Sequence, residues 1–339
     1  MKSGILLINL GTPDSLRLKD LKTYLKEFLM DKKVISLPYL LRYLLVNLII
    51  IPLRIKKSRR AYQKIWFEDG SPLLLISQRL SIKLEKKIGQ KVYLAMRYGS
   101  PSLESVLKQI KSDNINTLKI VPMYPHYAMS SFETAIDKFE EQYKKNGLTC
   151  KYEIVEPFFD HPEYIKALSQ KIKPYLNKDY DHILFSYHGI PVSHITKLDK
   201  SNSHCLKEVD CCEKPQHMKN FCYRHQVFAT TAAVATKLAI PQAKYSLSFQ
   251  SRLANEAWLD PYTDKEIIEL AQKGCKKLLV VCPSFLTECL ETLEEIAIRG
   301  KESFLENSRK SDRNEYTFEQ IPCLNDSETW VNSLIKIIK

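Results

Sequence analysis

The chain has 339 residues, of which 44% are hydrophobic and 27% are charged, a balance typical of a globular enzyme and unlike that of a disordered protein. Its formal net charge is +12, but no helix-turn-helix, zinc-finger or aromatic RNA-binding pattern accompanies that charge, so we expect no nucleic-acid partner. Nine cysteines and an N-terminal apolar run too short for a signal peptide favour a reducing compartment, and we expect a cytoplasmic protein.

Short apolar runs alternate with helical patterns along the whole chain. Strands are predicted, in chain order, at 4–9, 92–96, 118–122, 152–155, 182–187, 244–249 and 277–282. Between strands, apolar residues recur at helical spacing, as they do from Leu103 to Ile110 after a helix start predicted at Pro101. This alternation is typical of an α/β fold with parallel sheets and helices on both faces.

The two halves of the chain repeat one pattern, an apolar strand followed by Gly-x-Pro. It occurs in GILLINLGTP at the N-terminus and in DHILFSYHGIP at 181–191. We therefore predict two similar doubly wound, Rossmann-like lobes, 1–150 and 151–339, with a cleft between them. Leu10 stands in the first copy where His188 stands in the second, so chemistry is expected in the second lobe. No G-x-G-x-x-G or Walker pattern is present, which disfavours nucleotide binding.

An apolar segment at 34–53 is followed directly by the basic cluster RIKKSRR at 54–60. The segment has about the length of a membrane span, but prolines and polar residues interrupt it: Pro38, Arg42, Asn47 and Pro52. Apolar surface beside basic residues favours a helix lying in the headgroup layer, and so peripheral membrane contact. A buried core helix is the alternative reading.

Two segments carry residues suited to proton transfer. His188 ends a predicted strand, at the sheet edge where α/β folds bind ligands. Glu288, Glu291 and Glu295 have the spacing i, i+3, i+7, which predicts one helix face, and repulsion between enclosed carboxylates raises their pKa values. The plainer alternatives are a structural histidine and a solvated acidic face. A neutral imidazole and a carboxylate together can act as bases and as ligands for a divalent metal.

Six segments, in order and spanning nearly the whole chain, together resemble the ferrochelatase family. They are NLGTPDS (9–15), YLKEFLMDKKVISLP (24–38), YPHY (124–127), FSYHGIP (185–191), SFQSRLANEAWLDPYTD (248–264) and CLETLEEI (289–296). The resemblance implies a class II chelatase fold. It also implies that a porphyrin in the cleft receives Fe²⁺ as co-substrate and loses two pyrrole protons.

The resemblance also implies roles for individual residues. It places the essential base and transient metal contact on His188 and Glu291, with further acidic positions on Glu288 and Glu295. Porphyrin-binding positions fall on Leu10, Arg97, Tyr98, Tyr124 and Trp258, the last preceded by Gln250 and Ser251. Arg97 is expected to pair with the propionates. This chain departs from the usual family pattern at His126, often Gln, and at Cys289, often His.

Four alternatives for function are weighed from the sequence. Insertion of Fe²⁺ into protoporphyrin IX is the favoured one, and coproporphyrin III is the nearest alternative substrate. Insertion of cobalt or nickel into a sirohydrochlorin-like ring is disfavoured by the long apolar segment. A non-catalytic haem-binding protein would use His188 as an axial ligand and leave the glutamates without a role.

Four cysteines cluster within the segment 204–226, with the spacing C-x5-C-C-x9-C: Cys205, Cys211, Cys212 and Cys222. Four thiolates so close together could hold an iron–sulfur cluster or zinc, although adjacent cysteines suit structural zinc poorly. The segment resembles the cysteine-rich insertion of a subset of bacterial ferrochelatases that carry a [2Fe–2S] cluster. Free thiols remain an alternative, and His204, His217 or His225 could replace one cysteine ligand.

Overall fold

The computed structural model describes residues 2–215, 218–252, 256–308 and 315–339, so His217 lies outside the described residues. Within these ranges the strands are β1 Ser3–Thr12, β2 Lys91–Gly99, β3 Thr117–Pro122, β4 Lys151–Ile154, β5 His182–His188, β6 Tyr245–Gln250, β7 Lys277–Val281 and β8 Thr317–Ile321. All seven predicted strands are present. The sequence analysis missed β8, whose residues TFEQI form no continuous apolar run.

The α-helices are α1 Leu18–Leu29, α2 Tyr39–Leu44, α3 Ile51–Ile65, α4 Pro72–Ile88, α5 Leu103–Ser112, α6 Thr134–Lys145, α7 Pro162–Leu176, α8 Val192–Thr196, α9 Tyr223–Leu238, α10 Thr263–Gln272, α11 Lys301–Asn307 and α12 Glu328–Ile338. Three further segments are π-helical: π1 Leu45–Ile50, π2 Met129–Glu133 and π3 Glu291–Gly300. π-Helical turns often occur at functional sites. The start predicted for α5 was wrong by two residues, because Ser102 caps this helix by accepting a hydrogen bond from the Ser105 backbone N–H.

The strands form two four-stranded sheets of the same order, β2-β1-β3-β4 and β6-β5-β7-β8. Every neighbouring pair is parallel. Parallel strands are covered by helices on both faces, and β1 and β5 are accordingly buried along most of their length. The prediction of two similar doubly wound lobes is confirmed. The first lobe extends past residue 150, however, because β4 pairs with β3 in the first sheet.

Gly11 lies in β1, opposite Tyr98 of β2. Its φ is +115°, and a Cβ atom built on it would lie 1.8 Å from the carbonyl oxygen of Tyr98. We expect Gly11→Ala to lower the free energy of unfolding by about 3 kcal/mol or more, because left-handed strain adds to a clash with backbone. Urea denaturation followed by circular dichroism measures the loss.

Gly89 provides the matched control for that substitution. It too has a positive φ, +71°, at the end of α4, but no heavy atom lies within 4 Å of a Cβ built on it. Gly89→Ala should therefore cost only about 1 kcal/mol. Equal losses in the two variants would contradict the steric argument for Gly11.

The apolar segment 34–53 enters a continuous helix formed by α2, π1 and α3. Several of its apolar side chains face solvent, with exposed fractions of 68% for Tyr39, 66% for Leu40, 66% for Leu48 and 77% for Leu53. Only a minority, such as Val46, is packed inside. A buried core helix is therefore the wrong reading of this segment. Among the described residues, no helix is both long enough and apolar enough to cross a bilayer.

Candidate active site

A cavity of about 330 Å³ is lined by residues of both lobes, and its size suits an organic ligand. Its wall includes Asn9, Leu10, Tyr124, His126, His188, Ser251, Trp258, Ser284, Glu291 and Glu295. Many of these residues lie at or just beyond the carboxyl ends of strands, where open α/β sheets bind ligands. Leu10 and His188 occupy matching places, because β1 and β5 hold the same position in their sheets.

His188 is the last residue of β5 and is half-buried. Its Nδ1 atom lies 2.5 Å from the carbonyl oxygen of Gly189. A carbonyl oxygen can only accept, so Nδ1 carries the hydrogen of the neutral ring and Nε2 keeps its lone pair. The ring can therefore accept a proton or bind a divalent metal ion through Nε2.

Gln250 connects the strand that ends in His188 with the helix that begins at Glu291. His188 and Gln250 are paired across β5 and β6, and the Gly189 N–H donates to the Gln250 carbonyl oxygen at 2.6 Å. The Gln250 side chain donates from Nε2 to the Glu291 carbonyl oxygen at 2.9 Å. Its Oε1 accepts from Ser186 Oγ at 2.7 Å, which fixes the amide orientation. Gln250 thereby holds both functional residues in a fixed relation.

Glu291 and Glu295 both line the cavity from π3. Burial raises the pKa of Glu295, although a hydrogen bond from Ser251 Oγ opposes this effect, and the nearby charge of Glu291 raises the pKa further. The backbone N–H of Ser251 also donates to Glu295, at 3.0 Å. A carboxyl group with a raised pKa holds a proton closer to neutral pH, so Glu295 is suited to receive protons leaving the cavity.

Glu288 does not share the face of Glu291 and Glu295, contrary to the prediction from spacing. It precedes π3 and does not line the cavity. Its carboxylate accepts hydrogen bonds from the Cys323 backbone N–H at 2.8 Å and from the Thr292 hydroxyl. The helical periodicity failed because the helix begins after Glu288, whose side chain turns to the protein interior.

Arg97 and Tyr98 also lie away from the cavity wall. Arg97 forms an ion pair with Asp31, and its Nε donates to Thr134 Oγ1 at 2.9 Å. Tyr98 Oη donates to the same Asp31 carboxylate at 2.9 Å. The guanidinium of Arg97 is therefore already neutralised by a buried partner. This placement argues against the expected direct pairing of Arg97 with an acidic ligand.

The sequence analysis missed several residues of the cavity wall. Arg54 lines the cavity and has no ion-pair partner among the described residues, whereas the neighbouring Arg252 is paired with Asp264 at 2.8 Å. Asn9 reaches across the lobes, donating from Nδ2 to Thr287 Oγ1 at 3.2 Å. Asn9 begins the NLGTPDS motif and Arg54 begins the RIKKSRR cluster, but neither pattern shows that the side chain faces a cavity. Only the position of Arg54 at the end of the apolar segment offers a hint.

A model of the family described as Ferrochelatase matches residues 2–339 of this chain. The chain belongs to the ferrochelatase family. The ferrochelatase of Opitutus terrae is 47% identical over 339 residues, covering 99% of this chain and 96% of the relative. The ferrochelatase of Pseudomonas fluorescens is 43% identical over 333 residues, covering 98% of this chain and 96% of the relative. The family resemblance drawn from six motifs is thus confirmed.

Solved structures share the fold of this ferrochelatase-family chain. SirB from Bacillus subtilis with Fe³⁺ matches with a TM-score of 0.55 and 10% identity, covering 100% of this chain and 94% of SirB. The sirohydrochlorin chelatase SirB from Bacillus subtilis subspecies spizizenii in complex with cobalt matches with a TM-score of 0.53 and 9% identity, over the same shares of the two chains. At these identities the likeness concerns the fold alone.

His126, a departure from the usual ferrochelatase pattern, lies in the cavity wall and is buried. Its Nε2 lies 3.0 Å from Thr230 Oγ1, and that hydroxyl in turn donates to the Phe159 carbonyl oxygen at 2.8 Å. Nε2 therefore donates to Thr230. Burial lowers the pKa of His126 to about 3, which keeps the ring neutral at pH 7. We infer that His126 shapes the wall and does not exchange protons there.

Cys289 lies beside the proposed base in this ferrochelatase-family chain. The residue lines the cavity and is buried. Burial raises its pKa well above the usual value, and the Glu291 charge raises it further. Cys289 is therefore a neutral thiol, which binds metal ions more weakly than a thiolate does.

The four cysteines of the insertion are all buried. The thiols of Cys222 and Cys205 affect one another: this interaction raises the pKa of Cys222 to about 11 and lowers the pKa of Cys205. Arg224 Nη1 also donates to Cys212 Sγ at 3.0 Å. Four enclosed sulfur atoms beside a guanidinium suit an anionic iron–sulfur cluster in donor type and number.

A metal site is not preformed in this insertion among the described residues. Among the described residues, no three His, Cys, Asp or Glu side chains form a group ready to hold a metal ion. The insertion thus has the type and number of ligands that an iron–sulfur cluster needs. Each thiol would have to lose its proton before its sulfur could bind iron.

Proposed function

We propose that this chain inserts Fe²⁺ into protoporphyrin IX and forms protohaem, the last step of haem biosynthesis. The observation that carries the proposal is that His188 and Glu291 face one cavity and are tied together by Gln250. Membership in the ferrochelatase family supports the same conclusion. The reaction is that of a lyase-class enzyme and involves no change in the oxidation state of iron.

The chemistry assigns a task to each of these residues. As the four ring nitrogens bind Fe²⁺, the porphyrin loses its two inner N–H protons. His188 Nε2 has the free lone pair to take a proton, and Glu291 offers a carboxylate that can accept a proton or hold the incoming ion briefly. Glu295, with its raised pKa, is placed to receive protons next. The two protons released then balance the charge of the bound iron.

The remaining wall suits a flat, largely apolar ring with acidic substituents. Leu10, Tyr124 and Trp258 supply aliphatic and aromatic surface. Arg54, with no ion-pair partner among the described residues, supplies a guanidinium for a propionate. We assign the propionate contact to Arg54, since the structure engages Arg97 elsewhere.

The test is ferrous-iron-dependent conversion of free-base porphyrin to haem, followed by absorbance under anaerobic conditions. We expect the highest kcat/KM with protoporphyrin IX and Fe²⁺. Coproporphyrin III with Fe²⁺, and sirohydrochlorin with cobalt or nickel, complete the panel. A higher kcat/KM with either alternative would replace the substrate proposed here, and no metal insertion with any pair would refute the enzyme proposal.

We propose that Cys205, Cys211, Cys212 and Cys222 hold a [2Fe–2S] cluster with a structural or sensory role. When bound, the cluster would supply a redox-active centre that iron insertion itself does not use. We expect anaerobically purified protein to contain iron and acid-labile sulfide in equal amounts, with visible charge-transfer absorption. Cys212→Ser should reduce both to background, whereas Cys275→Ser, outside the insertion, should leave both unchanged. Zinc without sulfide would contradict the cluster.

We also propose that this protein is cytoplasmic and lies peripherally on the inner face of the cytoplasmic membrane. Exposed apolar side chains of α2, π1 and α3 precede a basic cluster, a combination that binds anionic lipid surfaces. We expect Leu40→Asp with Leu48→Asp to lower partitioning onto anionic vesicles at least tenfold, as measured by co-sedimentation. Ile82→Asp is a matched control because Ile82 is equally exposed, 67%, but lies on α4. Equal losses in both proteins would refute this surface.

A further inference from the structure

The first turn of α9 lies between the cysteine-rich insertion and the cavity. The helix begins at Tyr223, directly after Cys222, one of the four clustered cysteines. Cys222 is also the N-cap residue, since its Sγ accepts a hydrogen bond from the His225 backbone N–H at 3.4 Å. A proposed cluster ligand therefore forms the end of a helix that continues into the second lobe.

Two further residues of this turn hold the insertion. Arg224 Nη1 donates to Cys212 Sγ at 3.0 Å. His225 Nδ1 lies 2.6 Å from the Cys212 carbonyl oxygen and donates to it, because a carbonyl can only accept. Together with the bond from the His225 N–H to Cys222 Sγ, these bonds tie the position of the turn to two of the four cysteines, Cys212 and Cys222.

The same turn reaches the catalytic strand through Tyr223, which is buried. Tyr223 Oη donates to the His188 carbonyl oxygen at 2.8 Å. Its oxygen lies 2.9 Å from Ser284 Oγ, and since the phenol hydrogen is engaged by His188, Ser284 is the donor in this second bond. One hydroxyl therefore links His188 and Ser284, both of which line the cavity.

We propose that Tyr223 is a positioning residue that couples the state of the cysteine-rich insertion to the placement of His188. A helical turn moves as a unit, so a displacement of Cys222 when the sulfurs gain or lose their ligand is transmitted to the adjacent Tyr223 and then to the His188 backbone. The inference rests on the proposed function of His188 and adds a means of regulating it.

The first test is Tyr223→Phe, which removes the hydroxyl and keeps the ring. We expect kcat for Fe²⁺ insertion to fall about 3- to 10-fold, as expected for one lost hydrogen bond, while KM for porphyrin changes less than about twofold. The ¹⁵N chemical shifts of the His188 ring in the substrate-free protein should also change, a readout that needs no turnover. Tyr180→Phe, at a half-buried tyrosine remote from this turn, should alter neither. Unchanged kcat and His188 shifts in Tyr223→Phe would overturn the proposal.

The second test asks whether the insertion acts through this hydroxyl. Cys212→Ser should lower kcat in the otherwise natural chain but cause no further loss in the Tyr223→Phe background, as in a double-mutant cycle. Arg224→Gln, which removes a contact to Cys212 without removing a cysteine, should behave in the same way and serves if Cys212→Ser does not fold. If Cys212→Ser lowers kcat by the same factor with and without Tyr223→Phe, so that the two losses multiply, the coupling is overturned.

The two proposals fail in distinguishable ways. If the chain inserts no metal at all, the proposed function fails, yet the His188 ¹⁵N shifts of Cys212→Ser or Arg224→Gln still report whether the turn moves the histidine. The coupling alone fails if the natural chain turns over normally but Cys212→Ser or Arg224→Gln changes the His188 shifts and kcat equally with and without the Tyr223 hydroxyl.

Discussion

Glu291→Gln is expected to lower kcat for Fe²⁺ insertion by about 100- to 10,000-fold, the range typical for loss of a general base. The amide keeps the size of the side chain but can neither accept a proton nor hold a divalent ion well. Porphyrin binding should be nearly unchanged, because the aromatic wall is intact. Quenching of tryptophan fluorescence measures that affinity, since Trp258 lines the cavity.

Glu294→Gln is the matched control for this variant. Glu294 is a buried carboxyl in the same π-helical segment, but it is paired with Arg299 at 2.8 Å and Lys64 at 3.6 Å, and it does not line the cavity. Its substitution should lower stability and leave kcat within a few-fold of the natural chain. A Glu291→Gln protein with normal turnover would remove the carboxylate from the proposed mechanism.

His188→Ala is expected to lower kcat by a similar factor, since it removes the lone pair on Nε2 that accepts a pyrrole proton. Anaerobic stopped-flow absorbance with saturating Fe²⁺ and porphyrin measures the rate. His182→Ala is the control: His182 starts the same strand and contacts Ser246 Oγ at 2.8 Å, far along β5 from the cavity. It should retain turnover.

The two substitutions together separate an enzyme from a non-catalytic haem-binding protein. A binder that uses His188 as an axial ligand loses haem in His188→Ala and is indifferent to Glu291→Gln. A chelatase loses turnover in both. Retention of full activity by His188→Ala would place the proton acceptor elsewhere in the cavity.

Seven of the strands were predictable because a parallel strand covered on both faces is a continuous apolar run, as β5 shows with ILFSY. The strand β8, at the end of its sheet, mixes polar and apolar residues and gave no such pattern. The widened helix π3 was not predictable either, since its residues follow an ordinary helical spacing. Glu288 was consequently assigned to a helix that begins only three residues later, at Glu291.

Some residues of the cavity wall could likewise be predicted from the sequence, and others could not. The ferrochelatase resemblance named His188, Glu291, Tyr124 and Trp258 as site residues, and in the structure all four line one cavity. Arg97 was expected at the cavity but is paired with Asp31 away from its wall. Arg54, which does line the cavity, was assigned only to the basic cluster after the apolar segment.

Strands and turns depend on short stretches of sequence, and the duplication and the family on several such stretches taken together. All of these could therefore be established without coordinates. Side-chain direction is different, because it depends on which distant partner satisfies each charge or hydrogen bond. Arg97 forms an ion pair with Asp31, and Glu288 accepts a hydrogen bond from the Cys323 backbone N–H. Tyr223, next to the cysteine-rich insertion, donates a hydrogen bond to the His188 carbonyl oxygen. These three contacts link residues far apart in sequence, so only the folded chain could decide them.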